Sequence, residues 1–155
     1  MTGMSSSFTY ALIMLFAGLG IPIMAALNGS LGGKLQSPVL AATILFAVGL
    51  AISLCVLLLT EGLPQDIPLK STPWYLFCGG IFVIFYVLAI TWVAPRFGVA
   101  NAVSFVLLGQ LVAMTVIDHY GFIGVPQYSI TGQRILGLLF MAVGVLMVVN
   151  RAPST

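Results

Sequence analysis

Five long apolar stretches, 8–27, 38–60, 73–93, 98–117 and 131–150, fill most of the 155 residues, and the only charge within them is Arg134, at the edge of the fifth. A hydrocarbon core about 30 Å thick needs a helix of about 20 residues to cross it. With no water at that depth, each segment must satisfy its own backbone hydrogen bonds, which a helix does and an open strand does not. No alternation of apolar and polar residues argues for barrel strands. The sequence therefore predicts an all-α, multi-pass integral membrane protein: five transmembrane helices in a single transmembrane domain over residues 1–155. Composition agrees, because 5% charged residues is far below what a soluble domain carries, roughly 25%.

The first stretch does not read as a removable signal peptide: its apolar part is too long, no Lys or Arg precedes it, and no clear small-residue cleavage pattern follows. Arg134 falls in the first turn of its span, where its side chain can snorkel to the headgroups. Cys55 and Cys78 lie inside spans, so neither a disulfide framework nor a metal site is indicated, and no cofactor is expected. The net charge of +2 rests on loop and border residues and gives no reason to expect a nucleic-acid partner.

The connections are short. Residues 28–37 contain Gly29, Gly32 and Gly33 and read as a turn-rich linker beginning at Asn28. Residues 61–72 hold Glu61, Asp66 and Lys70 with Pro64 and Pro68, residues 94–97 form a tight turn around Pro95 and Arg96, and 118–130 is polar and irregular. Trp74 and Trp92 bracket the third span as an interfacial belt would, roughly 27 Å apart at helical rise. No segment outside the membrane is large enough to hold an active site. No constellation of His, Asp, Glu or Cys converges near the spans, so an enzyme is not expected.

Five spans put the termini on opposite faces. One face then receives Lys70 and Arg134, the other Lys34, Arg96 and Arg151. Orientation follows the Lys/Arg excess in short loops, and here it is a single residue. The chain either inserts one way on a weak bias or inserts both ways and pairs as an antiparallel homodimer. The second arrangement gives ten helices about a two-fold axis in the membrane plane, the symmetry of inverted-repeat transporters.

Polar and helix-breaking groups within the spans mark the candidate site. Pro22 has no amide hydrogen for the Gly18 carbonyl, and a Gly/Pro-interrupted span points to a transporter site as readily as to a packing kink. Gln110, near the middle of the fourth span, suits either an interhelical clasp or solute contact. In an antiparallel pair its two copies would stand at one depth. Tyr86 shares a face with Tyr75, Gly79 and Val83 and either lines a cavity or packs. Ser53, Thr91, Ser104 and Thr115 can satisfy their hydroxyls on preceding carbonyls. Asn28 and Asn101 read as helix-end residues. Asp118 and His119 border the fourth span and read as a loop anchor. On the fifth span Gly137, Met141, Gly144 and Val148 share a face on which another helix can approach closely, in a dimer or within one protomer.

Residues 22–28 (Pro-Ile-Met-Ala-Ala-Leu-Asn) with Leu31-Gly32, then Ala94-Pro95-Arg96-Phe97-Gly98, Gly109-Gln110 and Asp118-His119-Tyr120-Gly121, occur in the order of the signatures of a known family. The chain resembles, over roughly 8–150, the YdcZ-type inner-membrane exporter family of the drug/metabolite transporter superfamily. The resemblance implies five helices per chain, dimeric association, dual topology in some members, and a place in the bacterial inner membrane; it also adds weight to Asn28. Such sequences often carry Gln where this chain has Met24, which implies a more apolar site or a different specificity. The combined expectation is a transporter of a small organic solute, neutral or amphipathic, with Gly18, Pro22, Asn28, Tyr86 and Gln110 at a site between protomers. The alternative is a non-transporting membrane subunit that stabilises or regulates a partner membrane protein.

Overall fold

The computed structural model describes residues 2–63 and 71–149, with side chains from residue 8 onward. Pro64, Asp66, Pro68, Lys70, Asn150 and Arg151 lie outside the described residues. The elements are α1 (Thr2–Leu35), α2 (Pro38–Thr60), a 3-10 turn (Trp74–Cys78) leading into α3 (Gly79–Phe97), α4 (Val99–Tyr120), a short 3-10 turn (Phe122–Gly124) and α5 (Gly132–Val149). Five segments among the described residues are long and apolar enough to cross a membrane: Phe8–Leu35, Pro38–Thr60, Trp74–Phe97, Val99–Tyr120 and Gly132–Val149.

The boundaries correct the sequence reading in three places. The predicted linker 28–37 is mostly helix, because α1 runs on to Leu35. Glycine is a poor helix former, but here tertiary packing outweighs propensity. A Cβ on Gly29 would stand 3.2 Å from the Pro95 ring, and one on Gly32 would stand 3.0 Å from Thr91 Cγ2, so only glycine lets α3 approach so closely. The helix stops where Gln36 turns left-handed (φ 53). Ser37 N–H then donates to Gly32 O and Gln36 N–H to Gly33 O, the paired bonds of a Schellman ending. Ser37 next caps α2, its Oγ accepting from Leu40 N–H at 3.1 Å, with Pro38 at the first helical position.

The second correction concerns residues 94–97. They are the last turn of α3, not a loop, and Gly98 alone (φ 90) separates α3 from α4. Pro95 deprives the Thr91 carbonyl of its helical partner, and its ring rests on Gly29 instead of breaking the helix. Third, α4 continues to Tyr120 and ends on left-handed Gly121, so Asp118 and His119 form its last turn.

Contacts divide the chain into two compact units, 1–96 and 97–155. In the first, α1 packs on α2, and Ala25, Ala41, Ala42, Val87, Ile90 and Ala94 are buried. In the second, α4 packs on α5, with Ala102, Thr115 and Val145 buried. Asn101 Nδ2 donates to Phe97 O at 2.8 Å, satisfying a helix-end carbonyl. The segment after α4 is tied back to it: Tyr128 N–H donates to Asp118 O at 2.8 Å, Gln127 Nε2 to His119 O at 2.8 Å and Ile130 N–H to His119 Nδ1 at 3.4 Å. Arg134 Nη2 pairs with Asp118 Oδ2 at 2.7 Å, so the span-edge charge has a partner within the protein. Asp118 and His119 thus anchor the α4–α5 connection.

Candidate functional site

In the first unit α1 and α2 leave a crevice of about 260 Å³, lined by Met24, Leu27, Asn28 and Leu31 on one side and by Ile44 and Val48 on the other. The four α1 residues follow the i, i+3, i+4, i+7 spacing of one helix face. Asn28, which the sequence places at a helix end, lies two turns inside α1 and is 4% exposed. Its Nδ2 donates to Thr91 Oγ1 at 2.5 Å, and Thr91 Oγ1 donates to Val87 O at 2.6 Å. Thr91 is itself buried. The Asn28–Thr91 bond therefore joins the crevice wall to α3.

The remaining candidates are distributed differently. Gly18 is exposed, a Cβ on it would meet nothing within 4 Å, and Pro22 is half-buried one turn later in an unbroken α1. Neither lines the crevice. Tyr86 Oη, on α3, is the one buried side-chain polar atom without a hydrogen-bond partner among the described residues. Gln110, on α4 in the second unit, is exposed at the middle of its helix. Its amide makes no hydrogen bond among the described residues, although Thr115 on the same helix closes onto Leu111 O at 2.8 Å. Ser53 likewise bonds Leu50 O, whereas Ser104 makes no such bond. Ser104 instead faces a second groove of about 410 Å³ together with Phe140, Met141, Gly144, Val145 and Val148. Three of the four residues assigned from sequence to a close-approach ridge, Met141, Gly144 and Val148, line this groove. The fourth, Gly137, lies outside it, and a Cβ on Gly137 or Gly144 would touch nothing within 4 Å.

Thr91 carries more than the sequence suggests. Thr91 reads there as one of four self-satisfied hydroxyls, but it also receives Asn28. The available signal was the Asn28-Gly29 pair followed by Gly32, a polar residue beside small ones that admit a neighbour. Chemically, the crevice offers an apolar wall with a single amide. Among the described residues no three His, Cys, Asp or Glu side chains gather as a metal site would need.

No curated protein and no solved structure matches the chain. Residues 9–147 match the family model described as "Putative inner membrane exporter, YdcZ". With five apolar spans and almost the whole length covered, the chain belongs to this family of membrane transporters.

Proposed function

We propose that the chain works as an antiparallel homodimer in the bacterial inner membrane, exporting a small neutral or amphipathic organic solute by alternating access. The observation that carries this reading is Gln110. An amide exposed at mid-span without a hydrogen bond among the described residues costs several kcal/mol in hydrocarbon, which leaves room for a partner there. A second, inverted copy brings its own Gln110 to the same depth, and the two amides can pair or hold a solute between them. The uncovered Gly137 and Gly144 supply a surface for such a copy, and the groove beside Met141, Gly144 and Val148 gives it somewhere to seat. Gly18, Pro22, Asn28 and Tyr86 of the first unit are the further candidates for solute contact. Rocking of the protomers about the shared axis would exchange the two openings. No acidic side chain lies within the described spans at mid-depth, so a carboxylate shared by proton and substrate has no place in this scheme.

An unmet amide would also suit a different membrane protein as partner, which is the subunit reading. Flux decides between them. Purified protein in liposomes is expected to release small amphipathic solutes saturably, and Gln110→Leu should lower that flux at least about tenfold. A stable hetero-complex without flux would favour the subunit.

A further inference from the structure

The crevice beside Asn28 has a defined hydrogen-bonding polarity, set by a side chain outside it. A threonine hydroxyl has one hydrogen to give, and Thr91 gives it to Val87 O. Toward Asn28 it can only accept, so the amide must present its NH₂ to Thr91 and turn its carbonyl, Oδ1, away. Oδ1 receives no hydrogen bond from the described residues. It is also not fully occluded, since Tyr86 Oη is the sole buried unpartnered side-chain atom among them. Asn28 lines the crevice, and every other side chain around it is apolar.

We infer that this crevice binds a small molecule with an apolar body and one hydrogen-bond donor, of the alcohol or phenol class, whose donor is received by Asn28 Oδ1. Its volume of about 260 Å³ lies just below the usual range of ligand pockets, which suits a monocyclic or short-chain solute. A lipid acyl chain could fill the apolar wall but would leave Oδ1 unmet, at the cost of an unpaired polar group. With the donor at Asn28, two turns before the end of α1, the apolar body lies along Met24 and Val48. Thr91 is a positioning residue: it touches Asn28, not the ligand, and fixes which end of the amide faces the crevice. This inference rests on the reading of the chain as a solute transporter, and it names the solute class.

The test separates binding from flux. The full chain in lipid nanodiscs is labelled with a diazirine-bearing 4-alkylphenol, and the adducts are mapped by mass spectrometry. Competition with 4-butylphenol and with its methyl ether, 4-butylanisole, follows. Adducts are expected in 24–31 and 44–48, with the phenol competing about tenfold better than the ether. Thr91→Val should leave the crevice and the labelling in place but reduce the phenol-to-ether ratio to about twofold or less, since the freed amide can turn over. Asn28→Asp, an ionisable acceptor of the same shape, should keep the preference for the phenol. Equal competition by phenol and ether in the wild type would overturn the donor requirement. Adducts elsewhere, or an unchanged ratio in Thr91→Val, would overturn the site or its polarity. Flux in liposomes without crevice adducts would defeat this inference and leave the transport reading standing; crevice binding without flux would do the reverse.

Discussion

In the first unit Gly29 and Gly32 are walled in by Pro95 and Thr91, at 3.2 and 3.0 Å from where a Cβ would stand. In the second, a Cβ on Gly109, Gly137 or Gly144 would meet nothing within 4 Å. The residue type is the same, yet Gly29 and Gly32 close a helix contact inside the protomer, while Gly109, Gly137 and Gly144 lie bare, as Gly18 and Gly20 of the first unit also do. A bare glycine in a lipid-facing helix lowers helix propensity without any packing return in its own chain. For Gly137 and Gly144, seven residues apart on α5, a second copy is the partner we propose. Two amides show a similar contrast: Asn28 is paired with Thr91, whereas Gln110 is exposed and makes no hydrogen bond among the described residues.

The largest expected effect tests the packed side. Gly32→Leu forces a branched side chain into Thr91 and the start of α2, and should destabilise the fold by about 3 kcal/mol, read as thermal unfolding in detergent. Gly144→Leu should leave that unfolding within about 0.5 kcal/mol of wild type while weakening self-association at least about tenfold, read by dilution-dependent energy transfer between labelled protomers. If Gly144→Leu unfolds the protein as Gly32→Leu does, the contrast between the units is broken. If it leaves self-association intact, the ridge is not the contact.

A smaller effect sharpens the polar half of the comparison. Asn28→Leu, Thr91→Val and the double variant form a cycle whose coupling should be about 1 kcal/mol; additive losses would mean the bond does not hold α1 to α3. The smallest effect is at the exit of α1. Gln36 occupies a left-handed conformation (φ 53) at which glycine is preferred. Gln36→Gly should therefore raise stability by about 0.5–1 kcal/mol, measured by the same thermal unfolding. A loss instead would show that the Schellman ending does not terminate α1.

The existence of the five spans was legible from apolar length, because hydrocarbon thickness sets a length that sequence reports directly. Their ends were not. Residues 28–35 carry three glycines and read as a turn, and Pro95 reads as a stop, because local propensity cannot anticipate that Gly29 and Pro95 pack against each other from residues far apart in sequence. The same limit governs the site. Asn28 was visible as a polar residue beside glycines, but its placement inside the helix and its pairing with Thr91 depend on that contact. Gln110 was legible as an interior amide whose partner had to be found. Its lack of a hydrogen-bond partner among the described residues is a structural finding.

The claim that the chain is one half of an inverted pair is tested most directly by the side on which its C-terminus lies. Two fusions are needed, one fluorescent only when folded in the cytoplasm and one enzymatically active only outside it, each expressed at the native level. Antiparallel pairing predicts strong signal from both, and moving one Lys or Arg between loops should shift the balance, because the excess is a single residue. Signal from one fusion alone would contradict dual insertion, and the antiparallel homodimer would fall with it.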